Sequence, residues 1–152
     1  MAFNIVLVEP EIPGNTGNAG RTCVAAGATL HLVGRLGFSL SERQIKRAGM
    51  DYWPKLSLKV HGTWKAFVDA LPPDARLRAF ATGASKSVWD APFQDGDYLL
   101  FGCESVGLPA YALERCGAEA YRIPMRPEAR SLNLSSSVAV VLYEAERRLA
   151  RL

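Results

Sequence analysis

Apolar and polar positions follow two rhythms along this chain of 152 residues. Short apolar runs at 4–8 (NIVLV), 29–33 (TLHLV), 77–81, 98–101 (YLLF) and 120–123 read as strands. Between them the spacing widens to three and four, which predicts helices at about 18–26, 42–48, 63–71, 110–116 and 134–149. The last is the strongest, with Leu134, Val138, Val141, Leu142, Ala145 and Leu149 on one stripe. Strands alternating with helices predict a mainly parallel α/β sheet flanked by helices, and the length suits a single domain over 1–152. Val140 and Tyr143 fall outside the stripe of the last helix, so one sheet face does not cover its apolar girth. A partner subunit would cover the rest, and so would a wedged position inside one domain.

The pattern breaks at 121–138, YRIPMRPEARSLNLSSSV, where a strand should turn directly into a helix. Ser131, Asn133, Ser135, Ser136 and Ser137 crowd the start of an apolar helix, although such side chains compete for backbone hydrogen bonds and one cap would suffice. Two other segments share this character: 9–20, EPEIPGNTGNAG, and 102–109, GCESVGLP. All three leave the C-terminal ends of predicted parallel strands, the edge at which open α/β sheets bind ligands. One composite site is the economical inference, with Gly14, Gly17, Gly20, Gly102 and Gly107 allowing close backbone approach, and Asn15, Asn18 and Asn133 supplying donors and acceptors.

The glycines at 14, 17 and 20 are spaced G-x-x-G-x-x-G, which is not the dinucleotide fingerprint, and the second strand ends at Gly34 and Arg35 where an acidic ribose ligand belongs. No Walker lysine motif occurs. Hydride transfer and nucleotide hydrolysis both recede. Cys23, Cys103 and Cys116 are widely spaced without a CxxC pair, which predicts reduced thiols and no thiolate metal site. His31 sits in an apolar run and His61 beside Gly62, which reads as core or surface histidine, and no metal is expected. With 49% hydrophobic and 22% charged residues the chain is of ordinary globular composition, no apolar run reaches a membrane span, and the N-terminus lacks signal-peptide character, so a cytoplasmic location without membrane contact is expected. A net charge of +3 leans toward a polyanionic partner. The clusters Arg43, Lys46, Arg47 and Arg147, Arg148, Arg151 suit either such a partner or solvated helix faces.

Four segments in order, EPEIPGNTGN with Arg21, LGFSL followed by KRAGMDY, GDYLLFG with ES and GLP, and RIPM with RSLNLSSSVAVVLYEA, resemble the motifs of the SPOUT class of RNA methyltransferases. The whole chain is similar to its small single-domain family of tRNA (cytidine/uridine-34-2′-O)-methyltransferases. That resemblance implies a SPOUT fold with a C-terminal trefoil knot, S-adenosylmethionine as methyl donor, an obligate homodimer and a tRNA anticodon loop as partner, with a leucine acceptor by family analogy. By position it implies donor contacts at Phe80, Gly102, Glu104, Ile123, Ser131, Leu132, Asn133 and Leu134. Arg21 matches an arginine implicated in catalysis, Asn133 joins it as an expected catalytic residue, and Tyr143 matches a tyrosine of the dimer interface. Expected RNA contacts are Arg21, Arg43, Lys46, Arg47 and Arg126. The chain departs from the family pattern at Cys103 for a frequent proline, Val106 for a common arginine and Leu132 for a usual methionine.

Methyl transfer to a ribose hydroxyl requires in-line placement and removal of a proton, yet no histidine lies in the three loops. Guanidinium stays protonated, so Arg21 suits holding an adjacent phosphate or stabilising a developing alkoxide. A different methylated position in tRNA or rRNA, and a non-catalytic RNA-binding module, are the alternatives. Donor binding separates the module from the enzyme.

Overall fold

The computed structural model describes residues 2–41 and 52–152. In chain order the elements are β1 (Asn4–Val8), α1 (Pro13–Ala26), β2 (Thr29–Val33), a 3-10 turn (Trp53–Lys55), β3 (Leu58–His61), α2 (Trp64–Asp69), β4 (Leu77–Phe80), β5 (Lys86–Ser87), a second 3-10 turn (Val88–Asp90), β6 (Tyr98–Phe101), α3 (Ala110–Cys116), β7 (Ala120–Arg122) and α4 (Leu134–Arg148). Among the described residues the seven strands form one sheet in the order β3-β2-β1-β6-β4-β7-β5, and every pairing is parallel. The expected α/β architecture is therefore present.

Alternation along β1 shows how both faces are filled. Ile5 and Leu7 point into one apolar layer with Ala19 and Cys23 of α1 and Val138, Val141, Leu142 and Ala145 of α4. Val6 and Val8 point into the other, with Phe67 of α2 and Ala112 and Cys116 of α3. Helices on both faces give the strands their near-continuous apolar character. Opposite the site, Arg78 ties the sheet to the turn before β6: its Nε donates to Asp97 at 2.6 Å, Nη1 to Glu119 at 2.8 Å and Nη2 to the Pro92 carbonyl at 2.8 Å. Asp97 is fully buried, so this partnering is what makes its charge tolerable there.

Three expectations need correction. α1 begins at Pro13, not near residue 18, so Gly14, Gly17 and Gly20 are helical and serve no loop. Proline supplies the helical φ at the first turn. Gly20 gives up about 1 kcal/mol of helix propensity and in return admits neighbours: a Cβ there would lie 3.1 Å from Leu56 Cδ2 and 3.4 Å from Trp53. Strands β3 and β5 were not expected. β3 is an edge strand with Lys59 and Val60 exposed, and β5 has two residues, so neither carries an apolar run. The helix expected at 42–48 lies outside the described residues.

The two histidines, read separately in the sequence, form a stacked pair with ring centroids 5.3 Å apart. Asn4 Nδ2 donates to the Gly96 carbonyl at 3.2 Å, leaving its Oδ1 to accept from His31 Nε2 at 3.0 Å. His31 Nδ1 then has only a lone pair for His61 Nε2, 3.0 Å away. Burial first, and the charges of His61 and Lys59 after it, push the His31 pKa down to about 3. Cys23, Cys103 and Cys116 are free thiols. No described helix is long and apolar enough to cross a membrane.

Candidate active site

A cavity of about 830 Å³ opens at the C-terminal ends of β4, β6 and β7. Phe80 and Phe101, stacked with centroids 5.4 Å apart, contribute buried apolar wall. Most of the remainder comes from loop segments 102–108, 81–84 and 131–134, with Ile12 and Asn15 at the start of α1 and with Ile123 and Met125 beyond β7.

The loops are bound to one another through carboxylates and amides. Ile12 at the start of α1 provides no side-chain cap, and that helix end is capped instead by Glu104, a residue far along the chain. The Glu104 carboxylate accepts from the main-chain N–H of Glu11 and of Ile12, each at 2.8 Å, and from Asn15 Nδ2 at 3.2 Å. A carboxylate at a helix N-terminus satisfies orphan donors and favours the helix dipole. Glu11 returns the tie, its Oε1 accepting from the Ser105 main-chain N–H at 2.8 Å and from the Ser105 hydroxyl at 2.7 Å. Those two bonds, the hydroxyl one first, hold the Glu11 pKa below the usual carboxylate value. Asn15 carries the connection onward, since its Oδ1 accepts from Asn133 Nδ2 at 2.9 Å. Asn133 Oδ1 in turn accepts from the main-chain N–H of Ser135 at 2.9 Å and Ser136 at 3.3 Å, and from the Ser135 hydroxyl at 2.6 Å. One hydrogen-bonded path thus joins the three loops and caps both long helices.

Gly102 and Gly107 are needed for a different reason. A Cβ on Gly102 would lie 1.9 Å from the Gly107 carbonyl carbon and 2.0 Å from the Leu108 nitrogen. Gly107 itself has φ +75°, where a side chain is strained. The loop doubles back on its own backbone, and only glycine leaves room.

Every residue expected at the donor site, Phe80, Gly102, Glu104, Ile123, Ser131, Leu132, Asn133 and Leu134, lies on the cavity wall. Arg21 is exposed on α1 and is not on that wall. Arg126 is exposed on the segment between β7 and α4, and Tyr143 is 44% exposed on α4. Arg43, Lys46 and Arg47 lie outside the described residues. The Asn133 side-chain oxygen caps α4 and its amide nitrogen donates to Asn15, so the side chain holds the loop against the start of α1. The reading also missed the loop after β4, where Ala81, Thr82, Gly83 and Ala84 line the cavity. Its signal was present as a Thr-Gly turn directly after an apolar strand run. Val106, where the resemblance expected an arginine, is 83% exposed at the cavity rim.

The sequence profile of the SpoU rRNA methylase family matches residues 2–143. The chain belongs to that family. A tRNA (cytidine(34)-2′-O)-methyltransferase of Burkholderia cenocepacia (strain HI2424) is 52% identical over 148 residues, covering 96% of this chain and 95% of the relative. Among solved structures, one described as giving insight into the 2-OH methylation of C/U34 on tRNA superposes with a TM-score of 0.91 at 48% identity, covering 98% of this chain and 91% of the other. An AdoMet-bound rRNA methyltransferase from Sinorhizobium meliloti superposes with a TM-score of 0.85 at 28% identity, covering 97% of this chain and 57% of that larger one. Within the SpoU family this chain is thus near full length for the tRNA-modifying relative and matches part of the larger rRNA enzyme.

Proposed function

We propose that this protein transfers the methyl group of S-adenosylmethionine to the ribose 2′-hydroxyl of nucleotide 34, the wobble position of a tRNA, with cytidine or a modified uridine there and a leucine acceptor as substrate. The cavity carries the reading: its wall holds all eight residues expected to contact a methyl donor, in a chain 52% identical to a tRNA (cytidine(34)-2′-O)-methyltransferase.

S-adenosylmethionine fits the residues present. Phe80, Phe101, Ile123 and Leu134 offer apolar wall for a purine and for the carbon chains on a sulfonium. Ser131 and Leu132 have main-chain groups with no partner among the described residues, which suits recognition of polar edges by backbone. A volume of about 830 Å³ falls within the range of small-molecule sites. When bound, the donor supplies an electrophilic methyl group on a sulfonium centre.

The protein's share of the chemistry is placement. Glu104, Asn15 and Asn133 hold the three loops in one arrangement, so binding does not have to order them. Arg21 holds the phosphate beside the reacting ribose or stabilises the developing alkoxide. The 2′-hydroxyl proton leaves to water or to a phosphate oxygen, since no histidine occurs in the three loops. Arg43, Lys46, Arg47 and Arg126 take phosphates of the anticodon loop, where an unpaired nucleotide presents its ribose without being extruded from a duplex.

The working form is a cytoplasmic homodimer of single-domain protomers that meet through α4 near Tyr143. In support, Tyr143 is 44% exposed on a helix whose Val138, Val141, Leu142 and Ala145 are buried in the core, and Arg21 is absent from the cavity wall of its own chain. A C-terminal trefoil knot completes the reading. The strand order supports it, because β6 enters between β1 and β4 and β7 then enters between β4 and β5.

The test is to incubate the protein with labelled donor and total tRNA, digest the RNA and locate the label by mass spectrometry. Label on the ribose of nucleotide 34 is expected; label on a base, or only at other positions, overturns the assignment. Arg21→Ala should keep donor affinity while turnover falls about a hundredfold, the scale of one lost transition-state donor.

A further inference from the structure

The KRAGMDY motif ends at Tyr52, which touches α1 at two points. Its hydroxyl donates to the main-chain carbonyl of Gly17. The guanidinium carbon of Arg21 lies over its ring, 5.5 Å from the centroid. Gly17 and Arg21 are four residues apart and so share one face of the helix. At Gly20, between them, a Cβ would lie 3.1 Å from Leu56 and 3.4 Å from Trp53. The segment that follows the motif is therefore docked along the face of α1 that carries Arg21.

Arg21 is exposed, and among the described residues its guanidinium forms no ion pair or hydrogen bond. A contact through an aromatic face uses none of the five guanidinium N–H donors. We propose that Tyr52 is the positioning residue for Arg21: its ring restrains the guanidinium while leaving every donor free for the substrate's phosphate or developing alkoxide, and its hydroxyl on Gly17 keeps the ring in register with the helix. The inference rests on the role assigned to Arg21 above. It also accounts for the glycine at 20, since its bare α-carbon admits the residues that follow the tyrosine.

A double-mutant cycle in single-turnover methylation of tRNA tests it. Tyr52→Leu should lower the rate about tenfold, within the range that slight misplacement of a catalytic group costs, with donor affinity by calorimetry unchanged. Tyr52→Phe, which keeps the ring, should recover the rate to within about threefold of wild type. On an Arg21→Ala background Tyr52→Leu should change the rate less than about twofold, because the group it positions is gone. An equal loss in both backgrounds overturns the proposal, whereas an Arg21→Ala enzyme with wild-type rate overturns the role of Arg21 itself. Should Tyr52→Leu fail to fold, phenylalanine and its mono- and trifluorinated analogues at position 52 weaken the ring's face with little change of shape. A rate that falls stepwise through that series supports the assignment, and a flat one refutes it.

Discussion

Replacing Glu104 with alanine removes the only side-chain cap that α1 has among the described residues, and the cap comes from the far side of the site. Three bonds are lost: from Glu11 N–H, from Ile12 N–H and from Asn15 Nδ2. The site is partly open to water, so the freed N–H groups are rehydrated and the full penalty for burying them does not apply. A helix cap contributes about 1 kcal/mol, and a carboxylate at a helix N-terminus adds about 0.3 to 1 kcal/mol. A total near 2 kcal/mol lowers the melting temperature of a chain of this size by roughly 4 to 8 °C. The loss does not stop at α1. Asn15 lets go of one of its two partners, and the Asn15–Asn133 bond that steadies the loop before α4 is left with a mobile anchor. Donor affinity should therefore fall as well, by about tenfold, the worth of one hydrogen bond of this class. Thermal unfolding by circular dichroism and calorimetric titration with S-adenosylmethionine read the two effects separately. A melting temperature within about 1 °C of wild type would show that Glu104 does not hold the helix.

Gly102→Ala should destabilise the fold by about 1 to 3 kcal/mol, the usual cost of overpacking, and abolish measurable donor binding, because its Cβ would lie 1.9 Å from the backbone of Gly107; calorimetry showing wild-type affinity would contradict the close approach. His31 gives a pH dependence of known sign: the unfolded chain binds a proton near 6.5 while the folded chain holds the site neutral down to about 3. Stability should thus fall as pH drops through that window, by at most about 1.4 kcal/mol per unit, and His31→Gln should flatten the urea-unfolding profile; an unchanged slope would remove His31 as the cause.

The positions of β1, β2, β6 and α3 were legible in the sequence to the residue, because short apolar runs bounded by turn residues and a compact helical stripe are local properties. So was part of the cavity wall, at 102–107 and 131–134, once the odd polarity of 131–137 and the glycines at 102 and 107 were set beside the family resemblance, whereas 81–84 was not. Tertiary structure decided what local pattern could not carry. α1 starts at Pro13, where Glu104 caps it across the site, and its Gly20 serves a neighbouring segment that packs on it. Asn133 caps α4 and tethers it to α1 because the fold brings Asn15, 118 residues away, against it. His31 and His61, thirty residues apart, meet only because β2 and β3 lie side by side in register. In each case the deciding interaction joins residues distant in sequence, whose partnership is set by strand order and packing and leaves no periodic trace in the chain.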